Sequence, residues 1–143
     1  MRVHSPSYGR CACSEIGETM KYLWVGLGGA LGSIARYAVG LWIYERMGTR
    51  FPYGTFIINI SGCFIIGLAL TVLDTHITLP HEWRLAFPIG FVGAYTTFST
   101  FEYETLRLFQ NGQAFMALLY VTLSVLVGFA SVWAGVVAGR LVA

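Results

Sequence analysis

The hydrophobic and polar positions divide the chain into four long apolar runs separated by three short polar connections. The runs cover residues 22–44, 53–73, 84–108 and 114–139. A helix needs about 20 mostly apolar residues to cross the hydrocarbon of a bilayer, and each run reaches that length. The connections, residues 45–52, 74–83 and 109–113, hold the turn formers and most of the charge, and Asn111-Gly112 is a strong turn signal. The pattern predicts an all-α membrane protein with four transmembrane helices in one domain, residues 20–143. Residues 1–19 are polar and have no apolar stretch of the kind a signal peptide carries. They read as a disordered leader, or as a misassigned start ahead of Met20, because Met20-Lys21 opens the first run directly.

Small and polar residues recur at helical spacing within the runs. Gly28, Gly32, Arg36 and Gly40 share one stripe of the first, and Thr55, Asn59, Cys63, Gly67 and Thr71 one stripe of the second. Tyr120, Ser124, Gly128, Ser131, Gly135 and Gly139 form a similar stripe in the fourth. Such stripes serve helix packing, because small residues let backbones approach and hydroxyls bond across helices. Polar groups at membrane depth also mark ion pathways. Packing is the better reading for the first run, whereas the amide of Asn59 has donors and an acceptor to satisfy. Arg36 is placed either to snorkel to the interface or to raise the positive potential at the mouth of an anion path.

The third run is irregular. Pro88, Gly90 and Gly93 precede Thr96-Thr97-Phe98-Ser99-Thr100-Phe101. Proline removes a backbone donor and kinks a helix, so the third helix is expected to be interrupted. Broken backbone is tolerated in a membrane only where protein or a cavity covers it, and the carbonyls freed there can bind a cation. The competing reading is an ordinary proline kink patched by hydroxyls. Phe98 and Phe101, three residues apart, share a face and on their own read as packing or lipid contacts.

Composition supports the membrane assignment. Hydrophobic residues make up 56% and charged residues 11%, against roughly 25% charged in a soluble domain, and the mean hydropathy is +0.65. The net charge of +2 and the scattered basic residues argue against nucleic acid, which needs a basic track for its phosphates. Cys11-Ala-Cys13 lacks the spacing of redox or zinc sites, and Cys63 sits in an apolar run as a packing residue. With four spans, Lys21, Arg84 and Arg140 lie on one side, and Arg46, Arg50 and Arg107 on the other. The Lys/Arg bias that sets orientation is nearly absent, which predicts insertion in both orientations and an antiparallel homodimer.

Taken together, these residues resemble the Fluc (CrcB) family of fluoride channels, from Met20 onward. The likeness rests on Gly32 through Arg36 and Tyr37; on Pro52, Gly54, Thr55, Asn59, Gly62 and Gly67; on Gly90 and Gly93 followed by Thr96 through Phe101 and then Glu104; and on Tyr120 with Ser124. The resemblance implies a dual-topology homodimer with two pores and passive export of cytoplasmic fluoride. It implies a multi-pass protein of a bacterial or archaeal plasma membrane, with lipid and a second copy of itself as partners. It implies a fluoride pathway of Asn59, Phe98, Phe101, Tyr120, Ser124 and Thr55, with Arg36 at the pore mouth. It further implies a structural Na+ at the dimer centre, held by backbone carbonyls of Gly93 and Thr96. Three positions depart from the usual pattern: Ala94 replaces a common second glycine, Gly128 a track serine, and Glu102 adds an acid near Glu104.

The physics of such a pore is compatible with these residues. Fluoride is small and strongly hydrated, and conduction requires binding weak enough to permit exit. Neutral donors and the positive edges of aromatic rings attract an anion more mildly than a buried cation does. A small multidrug transporter shares the architecture, but such exporters resemble one another in carrying an acid in the first span, where this chain has only Arg36. An enzyme is disfavoured, because the His76 and His81 spacing does not match H-E-x-x-H and no nucleophile stands beside a base. A purely structural packing protein would account for the glycines but not for the hydroxyls around the third-run break.

Overall fold

The structure, a computed structural model, describes residues 12–48, 50–75 and 80–142. Among these residues the chain is all helical. Helix α1 spans Ala12–Met47 and α2 spans Tyr53–Thr75. A rod then runs through α3, His81–Arg84, a π-helical stretch Leu85–Val92, and α4, Gly93–Tyr95. Helix α5 covers Phe98–Gln110 and α6 covers Ala114–Val142. Residues 12–19 continue α1 ahead of Met20, where the sequence suggested a disordered or misassigned leader. The rest of that leader, with Cys11, and His76 of the second connection lie outside the described residues.

The helix ends follow local rules. Gly48 takes φ 72° and its N–H reaches the carbonyl of Tyr44 at 3.0 Å, an αL cap that closes α1. Gly112, at φ 74°, turns the chain between α5 and α6, with its N–H on Phe109 and that of Gln113 on Leu108. Pro88 stands inside the π-helical stretch. Its missing N–H and its ring, which crowds the carbonyl four residues back, favour the wider turn at that point. Across the next connection, the Arg84 guanidinium bonds the carbonyl of Leu73 and the Asp74 carboxylate, the latter at 3.0 Å, and so caps the C-terminal end of α2.

Glycines set the packing. A Cβ at Gly28 would collide with the carbonyl of Ala86, and one at Gly32 with that of Phe91, so α1 lies backbone to backbone on the π-helical stretch. Gly67 faces Val132 and Gly135 faces Phe64 at equally close range, which joins α2 to α6, and Ser131 Oγ donates to the carbonyl of Ile60 at 3.0 Å. Close approach of small residues is the main source of helix association where apolar burial gives no drive. The stripes of the first and fourth runs therefore do serve packing, the fourth over its lower half. Phe87, Phe91 and Tyr95 stack as nearly parallel rings, with centroids 5.4 and 6.0 Å apart, along the rod.

Helices α2 and α6 are long and apolar enough to cross a membrane. Helix α1 is longer, but its glycines and Arg36 make it less apolar, and the third run is divided into pieces each shorter than a span. Large apolar side chains, including Leu31, Phe129, Trp133 and Leu141, are exposed on the single chain. Contiguous apolar surface of this extent is unfavourable in water and suits lipid or a protein partner.

Candidate functional site

The third run breaks at Thr96 and Thr97. Thr96 has φ −79° and ψ 158°, and Thr97 φ −148° and ψ 112°, both extended. Helix α5 then restarts with Thr97 as N-cap, its Oγ accepting the Thr100 N–H at 3.4 Å and donating to Thr100 Oγ1 at 2.9 Å. The backbone groups opened by the break find a partner on α2. Asn59 Oδ1 accepts the N–H of Thr97 at 2.9 Å, and Asn59 Nδ2 donates to the Thr97 carbonyl at 3.1 Å. The amide thus pairs with an extended residue as a neighbouring strand would. One of its two N–H hydrogens stays uncommitted.

The break leaves the four carbonyls from Gly93 to Thr96 without their helical donors, and this exchange accounts for two of them. In an unbroken helix the N–H of Thr97 would bond Gly93 and that of Thr100 would bond Thr96. Here those donors go to Asn59 and to the Thr97 side chain. The carbonyls of Gly93 and Thr96 lose their helical partners, while Thr96 N–H and Oγ1 both remain on Val92. The donor set at the break is therefore neutral oxygen, which suits a hard monovalent cation.

Two cavities meet at Thr97, which lines both. The smaller, about 420 Å³, brings together Asn59, Cys63, Phe98, Phe101 and Ser124, with Gly93 and Thr96 on its wall. Its charged groups are none, and the hydroxyl of Ser124 is buried without a hydrogen-bond partner. Phe98 is 73% exposed on the single chain and Phe101 only 7%. Their ring centroids are 5.8 Å apart, and Phe101 packs edge-on to Tyr120 at 4.9 Å. The larger cavity, about 930 Å³, is lined by Arg36, Arg50 and Arg107 together with Thr55, Thr100 and Glu104. Arg36 Nε is buried without a partner there. The guanidinium of Arg36 therefore belongs to a basic chamber that also has Thr97 on its wall, and Arg50 of the first connection and Arg107 of the last turn of α5 join it.

Sequence reasoning brought Thr55 and Tyr120 into the candidate path, and the structure places both on Glu104. Thr55 Oγ1 donates to Oε1 at 2.9 Å and Tyr120 Oη to Oε2 at 3.0 Å. Tyr120 is fully buried, and its ring also meets Phe51 edge-on. Glu104 was seen in the sequence motif without a role. Its signal was an acid on the α5 face of Thr97, Phe101 and Leu108, inside an apolar run, where a charge is rare unless paired or functional.

Residues 23–136 match the family described as CrcB-like protein, Camphor Resistance (CrcB). The chain belongs to the CrcB family. Relatives within it are similar over most of their length. A fluoride-specific ion channel FluC of Acidobacterium capsulatum is 68% identical over 121 residues, which is 85% of this chain and 97% of that protein. The FluC of Solibacter usitatus is 49% identical over 85% of this chain and 99% of its own. That of Geobacter metallireducens is 44% identical over 81% of this chain and 94% of its own. The CrcB match covers all three polar connections and the whole break.

Proposed function

We propose that the chain is a passive fluoride channel that exports the anion from the cytoplasm of a bacterium or archaeon. It works as an antiparallel homodimer of four-span subunits inserted in both orientations. The observation that carries this reading is the neutral cavity at the break, where a spare Asn59 N–H, the unpartnered Ser124 hydroxyl and the Phe98 and Phe101 rings converge. The relatives' names supply the anion. Arg36, Arg50 and Arg107 concentrate anions in the outer chamber, where a clustered charge raises local counter-ion concentration. Beyond Thr97 the anion meets neutral donors and ring edges, which hold it loosely enough to leave. Thr55 and Tyr120 hold the Glu104 carboxylate, which lines the basic chamber.

The exposed Phe98 supports the dimer, since a ring on the wall of a pore needs a second surface to close that pore. A Na+ held by the freed carbonyls of Gly93 and Thr96 would satisfy their lone pairs at the centre of the dimer. The residues present fit that ion, because the carbonyls are released by bonds seen in the structure.

Two measurements test the proposal. Reconstituted in liposomes loaded with fluoride or chloride, the chain should release fluoride rapidly on addition of a potassium ionophore and retain chloride; retention of fluoride by a verified dimer removes the functional reading. Single cysteines placed in the 45–52 connection of a cysteine-free background should be labelled from both sides of the membrane in comparable amounts. Labelling from one side alone removes the dual topology and leaves the fluoride reading standing.

A further inference from the structure

We propose that Gly62 and Ser61 of α2 are positioning residues that set the geometry of the break, acting through Thr96 and Tyr95. The proposal rests on the channel reading above, and it concerns how the ion-binding groups are held rather than which ion passes. Asn59 pairs with Thr97 on the far side of Thr96. On the near side, Ser61 Oγ lies 3.0 Å from Tyr95 Oη and bonds the Ile58 carbonyl at 3.0 Å. Between the two, Gly62 is buried against Thr96 itself. A Cβ at Gly62 would overlap the Thr96 γ-methyl, with Tyr95 Cδ1 next at 3.5 Å and Thr96 Cβ at 3.7 Å. Three residues of one unbroken helix, Asn59, Ser61 and Gly62, therefore touch three consecutive residues of the broken one.

The Thr96 side chain has little freedom to yield. Its Oγ1 is bound to the carbonyl of Val92 at 3.1 Å, and rotating χ1 to move the methyl away from Gly62 breaks that bond. A β-branched residue is also stiff at χ1. An added Cβ at Gly62 is then accommodated by moving the Thr96 backbone, and with it the freed carbonyl. Carbon atoms settle about 3.5–4.0 Å apart, so the shift is on the order of an ångström. A regular helix is the better template for this purpose. It presents Asn59, Ser61 and Gly62 at fixed spacing, whereas the extended residues at the break have no ladder of their own to fix them.

The test compares wild type, Gly62→Ala, Thr96→Ser and the double variant as full chains in liposomes, reading fluoride efflux and its dependence on Na+ concentration. Thr96→Ser deletes the methyl that Gly62→Ala strikes and keeps the hydroxyl on Val92. Gly62→Ala should lower the efflux rate about tenfold or more, as ångström displacements at a working site do, and should raise the Na+ concentration giving half-maximal efflux. The double variant should return to within about threefold of Thr96→Ser, since coupling between contacting residues is what such a cycle isolates. Wild-type efflux from Gly62→Ala overturns the proposal, as does a loss that Thr96→Ser fails to rescue. If Gly62→Ala does not assemble, Ser61→Ala carries the test, because it only deletes a hydroxyl; efflux and Na+ dependence identical to wild type then overturn the proposal. A wild type that retains fluoride instead defeats the channel reading. A wild type that conducts without Na+ dependence defeats the cation, and the rate comparison still decides the role of Gly62.

Discussion

Asn59→Asp should abolish measurable fluoride efflux, a fall of at least about a hundredfold, which corresponds to about 2.7 kcal/mol on the barrier. The substitution preserves shape and changes two interactions. The Nδ2 donor becomes an oxygen facing the Thr97 carbonyl, which it bonded at 3.1 Å. A negative charge also enters the neutral cavity where the permeating anion must pass. A carboxylate at membrane depth costs about 2.5–3.5 kcal/mol on insertion scales, and its repulsion of fluoride in a low-dielectric site adds to the barrier. Asn59→Ala separates these effects. It removes both bonds to Thr97 without adding charge, so its efflux should be reduced but should exceed that of Asn59→Asp by about tenfold. Equal rates for the two variants would show that Asn59 acts only as a brace for the break. Size-exclusion chromatography of both variants establishes that assembly persists.

Replacing Phe98 and Phe101 together with Ile should also eliminate fluoride efflux while leaving the proposed dimer intact. Isoleucine keeps apolar volume and removes the ring quadrupole, whose positive edge is the feature offered to an anion. The two positions differ in structural cost. Phe98 is largely exposed on the single chain and meets Phe101 at 5.8 Å. Phe101 is buried and packs on Tyr120 at 4.9 Å, within a cluster containing Leu108 and Ala117. Aromatic pairs of this kind contribute about 0.5–1.5 kcal/mol beyond their buried area, so Phe101→Ile should lower stability as well as flux. Phe98→Ile should lower flux with little change in stability, and it is the cleaner probe. Efflux from Phe98→Ile matching wild type, in a dimer of normal stability, would reduce that ring to a packing element.

In the proposed pathway the basic chamber and the neutral cavity divide the work between them. Three guanidinium groups line the larger cavity. Among the lining groups of the smaller one none is charged. A deep cation would bind fluoride more tightly and slow its exit, because conduction demands sites that are occupied and left easily. Thr97 separates the two chambers, and the bonds that hold it come from Asn59. The residue proposed to donate to fluoride is therefore also the one that keeps the break open.

Much of this was legible in the sequence because it depends on local rules. Run length and apolar content fixed the long helices α2 and α6, Asn111-Gly112 fixed the tight turn, and Pro88 with the following hydroxyls foretold an interrupted third run. The i, i+4 stripes correctly placed Gly28, Gly32 and Gly135 at helix contacts, since helical periodicity decides which residues share a face. The motif residues located the family, as the CrcB match bears out.

Which side chains meet was not legible, because contact between residues far apart in the chain depends on how helices cross. The stripe of α2 looked uniform from Thr55 to Thr71. In the fold Thr55 reaches Glu104, Asn59 reaches Thr97, and Thr71 turns back to its own helix at the carbonyl of Gly67. Glu104 gained its setting only when α2 and α6 brought Thr55 and Tyr120 to its two oxygens. The opening of the Gly93 carbonyl likewise required Asn59, more than thirty residues away in sequence, to capture the Thr97 N–H. By itself the sequence determined the helices, their breaks and their small-residue faces, since these follow from dihedral preference and period. Tertiary structure alone decided which freed backbone groups were repaired and which were left open, because a hydrogen bond across helices forms only where packing brings donor and acceptor within about 3 Å.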